Sequence, residues 1–133
     1  MPRPEVSSEE DIVRAIHKAW WDEKENRKNS SIFKGQNISV NRLSILSIDR
    51  IFEILHQQLD SSPNGIIIGC GEINVGKLKS IGEKFQNPTE IIVVEDSLPD
   101  NPAHAEIPQK ITRGLAKAII KELKFIKDEN LNL

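Results

Sequence analysis

The sequence predicts an α/β-type domain, with α+β as its near variant: a small mixed sheet containing a β-α-β unit and a hairpin, packed against about four helices. Three observations predict it. Two short apolar runs, Ile66-Ile67-Ile68 and Ile91-Ile92-Val93-Val94, have the length and β-branching of buried strands. Between them Leu78, Ile81 and Phe85 recur at helical spacing, which gives the strand-helix-strand order of a β-α-β unit. Amphipathic helical patterns on either side supply the layers that cover a sheet.

Each element follows in chain order. Residues 1–7 read as a frayed tail. Ser8 with Asp11 three residues on resembles a capping box, and Ile12, Val13, Ile16 and Trp20 share one helical face, so a helix is expected to run to about Asp22. A charged run ending at Lys28 leads to a candidate hairpin: Ser31-Ile32-Phe33, a turn at Lys34-Gly35-Gln36-Asn37, then Ile38-Ser39-Val40. Ser47 is placed to cap a second helix that carries Ile48, Ile51, Phe52, Leu55 and Leu59 on one side. Ser61-Ser62-Pro63-Asn64-Gly65 breaks the chain before the β-α-β unit. Its helix ends before Asn87-Pro88. A last helix is expected from Pro108 to about Ile126, and 128–133 as a second disordered tail.

A chain of 133 residues without repeats or low-complexity linkers fits one domain over 1–133. A net charge of -2 argues against coating nucleic acid through bulk charge. The single cysteine, Cys70, cannot form an internal disulfide, which points to a reducing compartment. The start has no apolar signal segment and no run approaches membrane-spanning length, so the expectation is a cytoplasmic protein without a membrane partner.

Chemistry-bearing residues gather at the ends of the expected strands, where open α/β sheets usually bind ligands. Glu95 and Asp96 end the second apolar run, and His104 follows on a loop stiffened by Pro99 and Pro102. A carboxylate pair with a nearby histidine is suited to acid–base work or to a divalent metal, with Asp100 and Glu72 as further ligands. Asp96 and His104 are therefore the candidate catalytic residues. No other cofactor is implied. The competing reading makes His104 an ordinary histidine bonded to the backbone in a turn.

Gly71-Glu72-Ile73-Asn74-Val75-Gly76-Lys77 has the spacing of a phosphate loop, G-x-x-x-x-G-K, but Leu78 replaces the metal-binding hydroxyl and Glu72 puts a carboxylate among the phosphates. A glycine-rich turn that reverses the chain is the simpler reading. Cys70 has no adjacent base to ionise it. His17 and His56 lie beside apolar helical faces and read as packing or surface residues. Lys110, Arg113, Lys117, Lys121 and Lys124 recur every three or four residues as a basic stripe on the expected last helix. No aromatic platform accompanies it, so nucleic acid is disfavoured as a partner. Trp20-Trp21 offers an apolar anchor for a protein partner.

Several strings together, Asn29-Ser30-Ser31-Ile32-Phe33-Lys34, Ser39-Val40-Asn41-Arg42, Asp100 to Ile107 and Arg113-Gly114-Leu115-Ala116-Lys117, resemble small bacterial proteins of unassigned function. The resemblance implies no activity and transfers no catalytic residue. It raises the interest of Ser31, Phe33, Lys34, Arg42 and His104 as one surface. The expected function is an accessory or protein-interaction domain, with a protein partner and a homo-oligomer compatible with it. The alternative is a small metal- or acid–base-dependent enzyme centred on Asp96 and His104, with Glu72, Glu95, Asp100, Arg42 and Lys34 as binding residues.

Overall fold

A computed structural model describes residues 3–22, 24 and 27–129. Its strands are β1 (Asp11–His17), β2 (Trp21–Asp22), β3 (Arg27–Lys28), β4 (Ile38–Arg42), β5 (Ile67–Asn74), β6 (Val94–Glu95), β7 (His104–Ile107) and β8 (Lys124–Lys127). Its helices are α1 (Ile48–Leu59), α2 (Val75–Lys84) and α3 (Arg113–Ile120), with short 3-10 turns at Lys18–Trp20 and Ser30–Ile32. Among the described residues there are thus three α-helices rather than about four.

Six strands form one sheet in the order β6-β7-β4-β1-β5-β8, while β2 and β3 make a separate small hairpin. Every neighbouring pair is antiparallel, so the sheet is not mixed. The expected β-α-β unit survives only as a crossover. Strands β5 and β6 point the same way, but β1, β4 and β7 lie between them. Of the run Ile91–Val94 only Val94 joins the ladder. Ile91 and Val93 are buried in extended chain outside any strand.

The first helix expected from the sequence is instead β1, the strand between β4 and β5. The pattern Ile12-Val13 then Ala15-Ile16 fits a helical stripe and a doubly covered strand equally well. Pairing with β5 along the whole of β1 decides for the strand. Ile12 and Ile16 enter one core with Val40, Ile107, Leu78, Leu115 and Ile119. Val13 and Ala15 enter another with Ile51, Phe52 and Leu55 of α1. The two cores occupy opposite faces of the sheet, as the alternation of side chains along a strand requires. Each fully buried Ile or Leu contributes roughly 1.5–3 kcal/mol of transfer free energy.

The long C-terminal helix is also divided. Helix α3 stops at Ile120, and β8 adds to the sheet edge with Cys70 opposite Ile126 and Gly71 opposite Phe125. Glycines explain why this edge closes. A Cβ on Gly69 would sit 2.5 Å from the Ile126 carbonyl oxygen and 2.8 Å from the Phe125 ring, and one on Gly71 would sit 2.7 Å from Leu123. Only the missing side chains allow so close an approach.

Other expectations hold locally. Ser47 caps α1 by accepting from the Arg50 N–H, and Ile51, Phe52 and Leu55 are buried beneath it. Of the expected hairpin, the second strand is β4, but Ser30–Ile32 is a 3-10 turn whose Ile32 and the following Phe33 are fully buried. The N-terminal segment is not frayed where it is described. Val6 is buried and donates to the Val93 carbonyl, while the Glu95 N–H donates to Pro4. At the other end Asp128 is buried, and residues 130–133 of the expected tail lie outside the described residues.

Candidate functional site

Strands β4 and β7 pair with Asn41 opposite His104 and Ser39 opposite Glu106. Alternation sends Val40, Ala105 and Ile107 into the core under α2 and α3, and turns Ser39, Asn41 and His104 to the other face. Helix α1 covers that face over β1 and β5. Over β4 and β7 the cover is the loop 96–103, and between loop and helix a cleft of about 110 Å³ remains. Its floor includes Ala15, Asn41 and His104, and its walls include Leu55 and Gln58 of α1 with Leu98 and Asn101 of the loop.

The loop is held on both sides. Leu98 and Asn101 exchange two backbone hydrogen bonds of 3.0 Å, and the His104 N–H donates to the Asn101 carbonyl at 3.2 Å. The buried Asn101 amide donates to Asn41 Oδ1 at 2.7 Å, and its own Oδ1 has no hydrogen-bond partner among the described residues. Gln58 reaches from α1 to donate to Asp100 Oδ2 at 2.9 Å.

Asp96 and His104 do come together. The β6–β7 ladder pairs Glu95 with Ala105, so the next step places Asp96 across from His104. Nδ1 of His104 lies 3.0 Å from Asp96 Oδ2 and 3.1 Å from the Asp96 carbonyl oxygen. Both neighbours are acceptors, so Nδ1 carries the proton and donates. In the neutral ring Nε2 is then an acceptor, and it has no partner among the described residues. A carboxylate that fixes the ring tautomer while the second nitrogen stays available is the arrangement acid–base chemistry requires. Asp96 Oδ1 is also 3.3 Å from Arg3 Nη1, which reaches Glu106 as well.

The other expected site residues do not join them. Glu95 pairs with Arg42 Nη1 at 3.2 Å, and Arg42 clamps Glu10 through bonds of 2.9 and 2.7 Å. The Arg42 hydrogen bond holds the Glu10 carboxyl below the usual carboxylate range against the opposing effect of burial, and Ser44 adds to the lowering. Asp100 sits beside the cleft, bonded to Gln58. Glu72 lies within β5 opposite Val13 and Lys124, and Lys34 follows the 3-10 turn; neither lines the cleft. Among the described residues no group of three or more His, Cys, Asp or Glu is placed to hold a metal ion. The divalent-metal form of the enzyme reading therefore lacks a donor set here.

Two motif readings are corrected. Gly71 is inside strand β5 rather than in a loop, and the first N–H groups of α2 are already taken: Val75 by the Glu10 carbonyl, Gly76 by that of Ser8, and Lys77 by the Asn74 side chain. No amide is left there to cradle a phosphate. The basic stripe is split, since only Arg113 and Lys117 lie on α3 while Lys124 belongs to β8. Burial pushes the Cys70 thiol well above its ordinary value, and the Asp128 charge acts in the same direction, which rules it out as a ready nucleophile.

Asn41, Asn101, Gln58 and Arg14 carry no sequence signal of a site. The alternation Ile38-Ser39-Val40-Asn41 marks an outward polar face, but nothing in it shows that the face is covered again by a loop. Arg14 belongs to β1, whose ladder to β4 stops at Val13 and Asn41. Its guanidinium fills the opening by donating to the Ile32 and Ser39 carbonyls at 2.7 and 3.0 Å. Burial pushes it down to about 10, and no carboxylate pairs with it among the described residues. No helix among the described residues is long and apolar enough to cross a membrane. No protein-family model matches the chain, and no curated protein or solved structure matches it either.

Proposed function

We propose that this domain is a binding module whose partner seats a small donor-bearing group in the His104 cleft. One observation carries the reading: a histidine fixed by Asp96 whose Nε2 has no partner among the described residues, at the floor of a cleft with room for a side-chain tip. Asn101, which lines the same cleft, has a buried Oδ1 with no hydrogen-bond partner among the described residues. Leaving a buried acceptor unpaired costs roughly 1–3 kcal/mol, which a ligand N–H or O–H would recover. The proposed setting is a reducing bacterial cytosol, on the strength of one buried cysteine and the resemblance to small bacterial proteins. Quantitative pull-down from the native host tests the reading. A partner retained by the wild-type protein and lost by His104→Ala, with the melting temperature unchanged, is expected. Partner profiles that His104→Ala leaves unchanged would count decisively against it.

The 3.0 Å contact between Asp96 and His104 favours one second reading, a small acid–base enzyme in which Nε2 takes a substrate proton. A substrate-panel screen addresses it. Turnover that is lost in His104→Ala and has a shifted pH profile in Asp96→Asn is the supporting result. Turnover unaffected by both removes the reading.

A further inference from the structure

A second cleft, of about 570 Å³, lies where the Lys18–Trp20 turn and the β2–β3 hairpin meet the start of α3. Trp20 and Trp21 line it together with Arg27, Lys28, Arg113 and Lys117, and among the described residues the one lining carboxylate is Asp22. We propose that this cleft binds a nucleoside phosphate, with the base against an indole and the phosphate on the cations. The site is independent of the His104 cleft.

The charge distribution comes first. In a chain with a net charge of -2, the described residues around this opening are four cations and a single carboxylate. Among the described residues no carboxylate pairs with Lys28, Arg113 or Lys117. Like charges gathered this way repel one another, and a bound anion relieves the repulsion. Behind Trp20 stands another cation, the half-buried Arg14 guanidinium, 5.6 Å from the ring centre and without a carboxylate partner among the described residues.

The indoles supply the second half of the chemistry. Trp21 is packed on Phe125 with ring centres 3.8 Å apart, and Trp20 meets His17 edge-on at 4.6 Å. Both rings are thus held in place, which lowers the entropy lost when a base stacks on one of them. Trp21 Nε1–H is buried and finds no acceptor among the described residues. The volume falls within the roughly 300–1,000 Å³ of small-molecule pockets and accommodates one nucleotide.

Both tryptophans of the chain are in this cleft and the chain has no tyrosine, so intrinsic fluorescence reports on the site alone. The full chain is titrated with adenosine monophosphate, with a short oligo(dT), with inorganic phosphate and with a polyglutamate peptide. Quenching by the mononucleotide or the strand below about 1 mM, with phosphate competing, is the expected result. The two sources separate by arm: a strand site binds oligo(dT) more tightly than the mononucleotide and loses affinity with salt at a log–log slope of about -0.7 per phosphate contacted. The exposed pair in Arg113→Glu/Lys117→Glu should weaken binding about tenfold or more with the melting temperature unchanged. Lys28→Glu gives the same readout should that variant fail to fold. No quenching by either nucleotide form, quenching indifferent to charge reversal, or polyglutamate binding as tightly as the nucleotide would each overturn the proposal.

Discussion

His56 and His104 each hold an aspartate at hydrogen-bond distance, yet the two sites are built to opposite ends. His56 uses both ring nitrogens: Nδ1 lies 2.8 Å from Asp60 Oδ2, and Nε2 lies 2.6 Å from Asp128 Oδ2. Asp60 in turn accepts from the Ile67 N–H, so one side chain ties α1 to the start of β5 and the end of β8. His104 uses only Nδ1 and leaves Nε2 at a cleft. The difference teaches that an Asp–His contact does not by itself mark a site. A histidine with both nitrogens taken is a fastener, and one with a nitrogen to spare can act on something else.

The comparison is sharpest in stability. Removing the fastener in His56→Ala leaves the buried Asp128 without its histidine, and should cost on the order of 2–3 kcal/mol in urea unfolding. Equal destabilisation by His104→Ala would break the distinction, because it would make both histidines structural.

The same clamp predicts a pH dependence. Burial of the imidazole acts against its charge, but hydrogen bonds to Asp128 and Asp60 outweigh this and raise the His56 pKa above its ordinary value. A raised folded-state pKa means the stabilisation is fully present below the unfolded value of about 6.5, and is lost as pH rises through the folded value. Thermal melts across that window should show the wild type losing stability relative to His56→Gln. A constant difference between the two would show that the clamp holds without a charged ring.

Asn101→Ala tests the wall of the His104 cleft. It removes the donor to the buried Asn41 Oδ1, and should cost about 1–2 kcal/mol while leaving the Asp96–His104 pair in place. Nitrogen chemical shifts of the His104 ring, read by NMR, should keep the pattern of a protonated Nδ1 in this variant and lose it in Asp96→Asn. A ring unchanged by Asp96→Asn would mean the carboxylate does not set the tautomer.

The smallest effect belongs to His104→Ala itself, less than about 1 kcal/mol, since the Asp96 carboxylate keeps both solvent and Arg3. Chemical denaturation beside His56→Ala measures both on one scale.

Parts of this molecule written in near neighbours are legible in the chain itself. Helix α1 follows from Ser47 and a side of Ile48, Ile51, Phe52 and Leu55, because caps and i, i+4 contacts are made within a dozen residues. The spacing of Asp96 and His104, eight residues apart across two prolines, is legible too, but the strand β7 that carries His104 where a loop is expected, and so the meeting of the two side chains, is not. β1 is not legible, because its apolar pairs satisfy two periodicities and only β4 and β5, far along the chain, choose between them. Nor is β8, whose helical pattern yields to an edge made available by Gly69 and Gly71.

The sequence by itself therefore determined the local elements with a single periodicity. Tertiary structure alone decided the antiparallel order of the sheet, the cover that turns Asn41 and His104 into the floor of a cleft, and the gathering of Trp20 and Trp21 with Arg113 and Lys117. Those last residues stand some ninety positions apart. No local hydrogen bond or side-chain period connects positions so distant. Their meeting depends on how the strands between them pair, and that follows from burying both faces of the sheet at once.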